Sequence, residues 1–125
     1  MRFNLNGELL NPEEAETVEV QWLLSKGDPW RMENKANQIL NSQKPGALSP
    51  EKEDLARKLL EAAAKKGAEP SHRGKRYRML GELAERRGDK VEAMIQYALA
   101  VEFNPKVGCK KALSKIENEL RNRKQ

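Results

Sequence analysis

Proline placement constrains this chain most. Four of its six prolines directly follow a residue that caps helices: Asn11-Pro12, Asp28-Pro29, Ser49-Pro50 and Asn104-Pro105. An Asn, Asp or Ser side chain accepts a hydrogen bond from an orphan N–H of the first turn. Proline fits next, because its missing N–H would have had no partner there. Each pair therefore reads as a helix start. Asp89 supplies a fifth start: it follows Gly88 and has Glu92 three residues on, a capping-box spacing. A sixth lies near Ser71, after Pro70. The signals predict helices over 12–26, 29–42, 50–66, 72–87, 89–103 and 105–121. Gly27, Gly67 and Gly88 stand just past three of the ends, and Pro45-Gly46 marks the longest interior loop.

Composition agrees with this division. Ala, Leu, Glu, Lys and Arg make up 68 of 125 residues, whereas Val, Ile and Thr together supply 9. Straight-chain residues favour helices, and scarce β-branched residues disfavour a sheet of any size. Short links between successive helices force neighbours to run antiparallel. The expected fold is all-α, a single domain of stacked antiparallel helical hairpins with about six helices. Residues 1–10, with Phe3 and Leu5 ahead of Asn6-Gly7, are expected to form an arm packed on the first helix.

The apolar positions recur at helical spacing. They are Val18, Trp22 and Leu23 in the first helix, then Met32, Ala36, Ile39 and Leu40 in the second. Leu55, Leu59, Leu60, Ala63 and Ala64 follow in the third. The last helix has Ala112, Leu113, Ile116 and Leu120 with charge elsewhere, the single stripe expected of a helix that covers the end of a stack.

No run of 18 apolar residues is present, and the amino terminus lacks an apolar stretch of signal-peptide length. One cysteine, Cys109, fits a reducing compartment, so a cytoplasmic location is expected. One histidine and one cysteine cannot build a zinc site, and no metal or cofactor is expected. Phosphate-binding loops, nucleophile elbows and metal clusters are absent from the sequence, so the chain is expected not to be an enzyme. His72 reads as an exposed loop histidine, and Cys109 as a structural cysteine in the first turn of the last helix.

The segment from Tyr77 to Pro105 is more specific. Tyr77, Leu80, Gly81, Ala84, Ala93, Tyr97, Ala100 and Pro105 meet the spacing of the tetratricopeptide pattern. The segment 74–107 resembles one full tetratricopeptide repeat. The physical content is clear: Gly81 and Ala93 lack bulk and let two helices approach, Tyr77 and Tyr97 fill the space beside them, and Leu80, Leu83 and Ile95 supply a shared core. Pro105 is expected to stop one helix and start the capping helix, 105–121. A degenerate copy precedes it. Ala56, Leu60 and Ala63 repeat the spacing of Ala93, Tyr97 and Ala100, and Leu59 to Gly67 is similar to the second helix of Sel1-like repeats.

That resemblance implies a non-catalytic binding module, an adaptor whose first helices form a groove for a partner segment. The implied groove residues are Lys75, Arg78, Glu82, Glu85 and Arg86, suited to an acidic peptide or helix. Lys75 matches one position of the family's carboxylate clamp, but the next clamp position is Met79.

Charge asymmetry offers the alternative. Residues 1–62 carry a net −3 and residues 63–125 a net +8. A basic half can serve nucleic acid, since Lys and Arg neutralise phosphates with little geometric demand. The residues for that reading are Arg73, Lys75, Arg76, Arg78, Arg87, Lys110 and Lys111. Against it, Tyr77 belongs to the repeat core and is not free to stack on bases. Trp22 and Trp30 flank the turn at Gly27-Asp28. They either pack the first two helices together or present an anchor to a partner or a second copy.

Overall fold

The computed structural model describes residues 11–41, 49–67 and 69–123. These residues form six helices and no strand: α1 (Pro12–Lys26), α2 (Pro29–Asn41), α3 (Pro50–Lys66), α4 (Pro70–Arg86), α5 (Lys90–Phe103) and α6 (Lys110–Arg123). The expected amino-terminal arm and the Pro45-Gly46 loop lie outside the described residues. No described helix is long and apolar enough to cross a membrane.

The caps work as the sequence dictates. Asn11, Ser49 and Asp89 accept from the backbone N–H groups of Glu14, Lys52 and Glu92, and the Asp28 carboxylate accepts from that of Arg31. Two starts differ from expectation. α4 begins at Pro70 itself, where the fixed φ of proline suits the first helical position. Asn104-Pro105 does not open a helix. The Asn104 side chain accepts from Lys106 N–H and its carbonyl from Val107 N–H, closing a turn. Gly108 then takes φ +88, a left-handed conformation that favours glycine, and the last helix starts only at Lys110.

α2 pairs with α3 and α4 with α5 to form two helical hairpins; α3 packs on α4, and α5 on α6. α1 rests on α2 and α3. One core cluster joins Val20 and Leu23 of α1 to Met32, Ala36 and Ile39, to Leu59, Leu60 and Ala63, and to Leu80 and Leu83. A second joins Ala84, Ala93, Tyr97 and Ala100 to Val107, Cys109 and Ile116. Tyr77 packs against both. Each fully buried Leu or Ile contributes about 1.5–3 kcal/mol relative to exposure.

The α4–α5 contact is the closest. A Cβ on Gly81 would lie 2.6 Å from the Tyr97 ring, and one on Gly74 would lie 2.5 Å from Asn104 Cβ. Two glycines seven residues apart thus present one bare edge of α4 to α5. Two expected core residues lie elsewhere. Val18 is 49% exposed, and α1 buries Val20 instead; Ile95 is 45% exposed. Both helices carry apolar residues on more than one side, so periodicity did not select the inward face.

Candidate partner-binding face

α2 and α4 are the first helices of the two hairpins, and they lie side by side. The seam between them begins at the Trp30 ring, which meets His72 edge-on with centroids 4.4 Å apart. The Arg76 guanidinium sits 5.5 Å from the Trp30 ring centre. One turn further, Glu33 of α2 binds Arg76 of α4 at 2.9 Å, with both side chains almost wholly buried. Arg76 Nη1 also donates to the Ala63 carbonyl near the end of α3, and Lys75 Nζ reaches Glu33 at 3.4 Å. Beyond this pair, Asn37, Leu40 and Asn41 face Met79, Glu82 and Arg86 across a shallow cavity of about 150 Å³. From Trp30 to Asn41 the seam runs about 16 Å.

The expected groove residues divide between two sides of α4. Lys75, Glu82 and Arg86 lie along the seam. Arg78 and Glu85 do not: Arg78 Nη1 donates to the Val107 carbonyl at 3.0 Å, and Glu85 accepts from the Tyr97 hydroxyl. Glu82 also bridges Arg78 at 3.4 Å, one helical turn away. Burial pushes the Tyr97 phenol well above its usual pKa, and the bond to Glu85 adds to this.

Most of the basic residues expected for nucleic acid are engaged inside the fold. Arg76 is 1% exposed and neutralises Glu33, so it cannot meet a phosphate. Arg73 Nε donates to the Ala64 carbonyl at 2.8 Å, and its guanidinium lies 4.3 Å from the Phe103 ring centre. Arg87 bridges Glu53 at 3.5 Å. Lys75, Lys110 and Lys111 are exposed, the last two beside Lys106 at the start of α6.

His72 is not an exposed loop residue. It is half-buried in the first turn of α4 against Trp30. Cys109 immediately precedes α6 rather than lying in its first turn; it is buried, and burial pushes its thiol pKa up. Trp22 and Trp30 are each about half exposed and serve different surfaces. Trp22 lines a cleft of about 650 Å³ between α1 and α2, with Val18, Leu23, Asn34 and Lys35. Lys35, 9% exposed, lies between Glu16 and Glu19 at 3.6 and 3.5 Å. Among the described residues, no group of three or more His, Cys, Asp or Glu side chains could hold a metal ion.

Sequence reasoning missed Glu33, the residue on which the seam turns. A signal existed. Glu33 stands three and seven residues before Ala36 and Leu40 of the apolar stripe, and Arg76 stands four and seven before Leu80 and Leu83. A charge on a buried stripe needs a partner. Comparison with models of protein families, with curated proteins and with solved structures found no match.

Proposed function

We propose that the chain is a non-catalytic binding module that holds a partner segment along the α2–α4 seam, as in the tetratricopeptide-type stacks it resembles. The observation that carries this reading is Trp30. It is a large aromatic left half exposed, yet fixed between His72 and the buried Glu33–Arg76 pair. A rigid aromatic gives contact area at little entropic cost, and such anchors dominate binding energy. Lys75 and Arg86 bracket the seam, so the preferred partner is an acidic segment with an apolar side chain for the Trp30–Met79 strip. The reading requires no cofactor, and it places the module in a reducing compartment, the cytoplasm, in keeping with a single buried cysteine. The exposed lysines Lys106, Lys110 and Lys111 favour a second reading, binding to nucleic acid at the start of α6.

The test is capture from nuclease-treated host lysate by immobilised wild type, Trp30→Ala and Lys110→Glu/Lys111→Glu. A protein partner retained by wild type and by the lysine variant, with affinity cut about thirtyfold by Trp30→Ala, supports the seam. Capture that disappears with nuclease, or that depends on the lysines alone, overturns it in favour of the second reading.

A further inference from the structure

The hairpin pairing leaves two helices over. α2 pairs with α3 and α4 with α5, whereas α1 and α6 stand at opposite ends of the described stack with no hairpin partner among the described residues. The stacking rule is visible in α4, which packs against the second helix before it, α3, and the second helix after it, α5. α6 has α5 before it and no described helix after it. α1 has the reverse need: a helix ahead of it, lying beside α2 as α2 lies beside α4.

Among the described residues nothing fills that slot, the cleft of about 650 Å³ between α1 and α2, walled by Val18, Glu19 and Trp22 on one side and Arg31, Lys35 and Gln38 on the other. Val18 and Trp22 are one helical turn apart and both about half exposed. The row ahead of them is acidic, with Glu13 and Glu14 exposed in the first turn. α1 carries four Glu against Lys26, a net −3. α6 carries five Lys and Arg against Glu117 and Glu119, a net +3. Arg121 is exposed and shares a row with Leu113 and Glu117, and Leu113 and Leu120 are only partly covered by α5.

We propose that α6 of one copy seats in the α1–α2 cleft of a second copy, so that the chain associates head to tail. α6 and the second copy's α1 then complete a hairpin that neither chain forms alone. The two helices of a hairpin run antiparallel, so Val18 and Trp22 lie over the half-covered leucines, and Glu14 near the start of α1 meets Arg121 near the end of α6. The two surfaces are different patches, so the contact is heterologous and each end of the assembly keeps a binding surface. One helix in a two-helix cleft makes a small interface, so the association is weak and salt-sensitive. The α2–α4 seam stays uncovered, which makes this proposal independent of the partner-binding reading.

Sedimentation equilibrium of the full chain, from micromolar to millimolar concentration, tests it. The expected average mass rises with concentration past that of a dimer and falls to the monomer in about 1 M salt, where screening shortens to about 3 Å. Trp22→Arg blocks one end and Arg121→Glu the other, and each variant alone is a monomer. Their equimolar mixture forms a dimer and nothing larger, because one intact end of each remains. A wild type that is monomeric throughout, a dimer that stops at two copies, or association that survives in either variant overturns the proposal. Helicity by circular dichroism accompanies each measurement. If a blocking variant loses its fold, Val18→Glu and Arg121→Ala replace the two ends.

Discussion

α4 meets α5 and α2 by opposite means. Toward α5 it offers glycines, and the junction is tight: Gly81 lies under the Tyr97 ring and Gly74 against Asn104. Toward α2 it offers Arg76, and the junction is a buried ion pair with the Trp30 ring beside it and the Ala63 carbonyl as a second acceptor. The first contact is satisfied by many sequences that keep small residues small. The second tolerates only two states, with both charges present or both absent. Shape complementarity can be worn down gradually, whereas a buried charge fails all at once.

Removing one member of the pair tests this difference most severely. Glu33→Ala leaves the Arg76 guanidinium buried without its counter-charge and is expected to cost about 3–5 kcal/mol in chemical denaturation. Glu33→Met/Arg76→Met removes both charges and is expected to recover most of that loss. If the double variant is as unstable as the single one, the pair is not the organising contact. On the other side of α4, Gly81→Ala places a methyl group 2.6 Å from the Tyr97 ring. Overpacking costs about 1–3 kcal/mol, and the better helix propensity of alanine returns up to about 1. The expected result is a net loss read as a fall of several degrees in Tm, smaller than that of Glu33→Ala.

Two milder changes probe the polar trim of each region. Tyr97→Phe keeps the ring against Gly81 and removes only the hydrogen bond to Glu85. Because Glu85 is exposed and regains water, the expected cost is about 1 kcal/mol or less. Asp54, on the α3 surface, is held below its ordinary pKa by hydrogen bonds from Arg57 and Lys58. Its folded pKa is lower than its unfolded pKa, so the stabilisation is present at neutral pH and fades as pH falls through the carboxylate range. Asp54→Asn is expected to cost a few tenths of a kcal/mol at pH 7, and nothing once the carboxyl is protonated in both states. Denaturation curves at pH 7 and pH 2 check both halves of that statement.

The contrast also explains what could be read from the residues alone. Caps and glycines act within one or two turns of their own position, so Asn11, Ser49, Asp89 and the Gly81–Tyr97 contact were legible. Asn104-Pro105 misled because the same pair can open a turn or a helix, and Gly108 three residues on decided for the turn. Val18 and Ile95 misled because α1 and α5 are apolar on several sides, and only the neighbours show which side turns inward. Arg76 looked like part of a basic surface because Arg73, Lys75 and Arg78 surround it in sequence. Its partner Glu33 is 43 residues away; the apolar stripes show that each charge needs a partner, but nothing local says that the two meet. The seam was therefore legible only on its α4 side, through Lys75, Glu82 and Arg86.

Arg76 belongs to α4, neutralises a carboxylate on α2 and donates to a terminal carbonyl of α3. In arrays of helical repeats, each unit can fray while its neighbours stay folded. A single guanidinium that ties its own helix to two others removes that freedom, because opening any one of the three strands a buried charge. α2, α3 and α4 are therefore expected to open as one cooperative block, with their slowest amides exchanging at a common rate. α6 lies beyond that knot and can detach by itself.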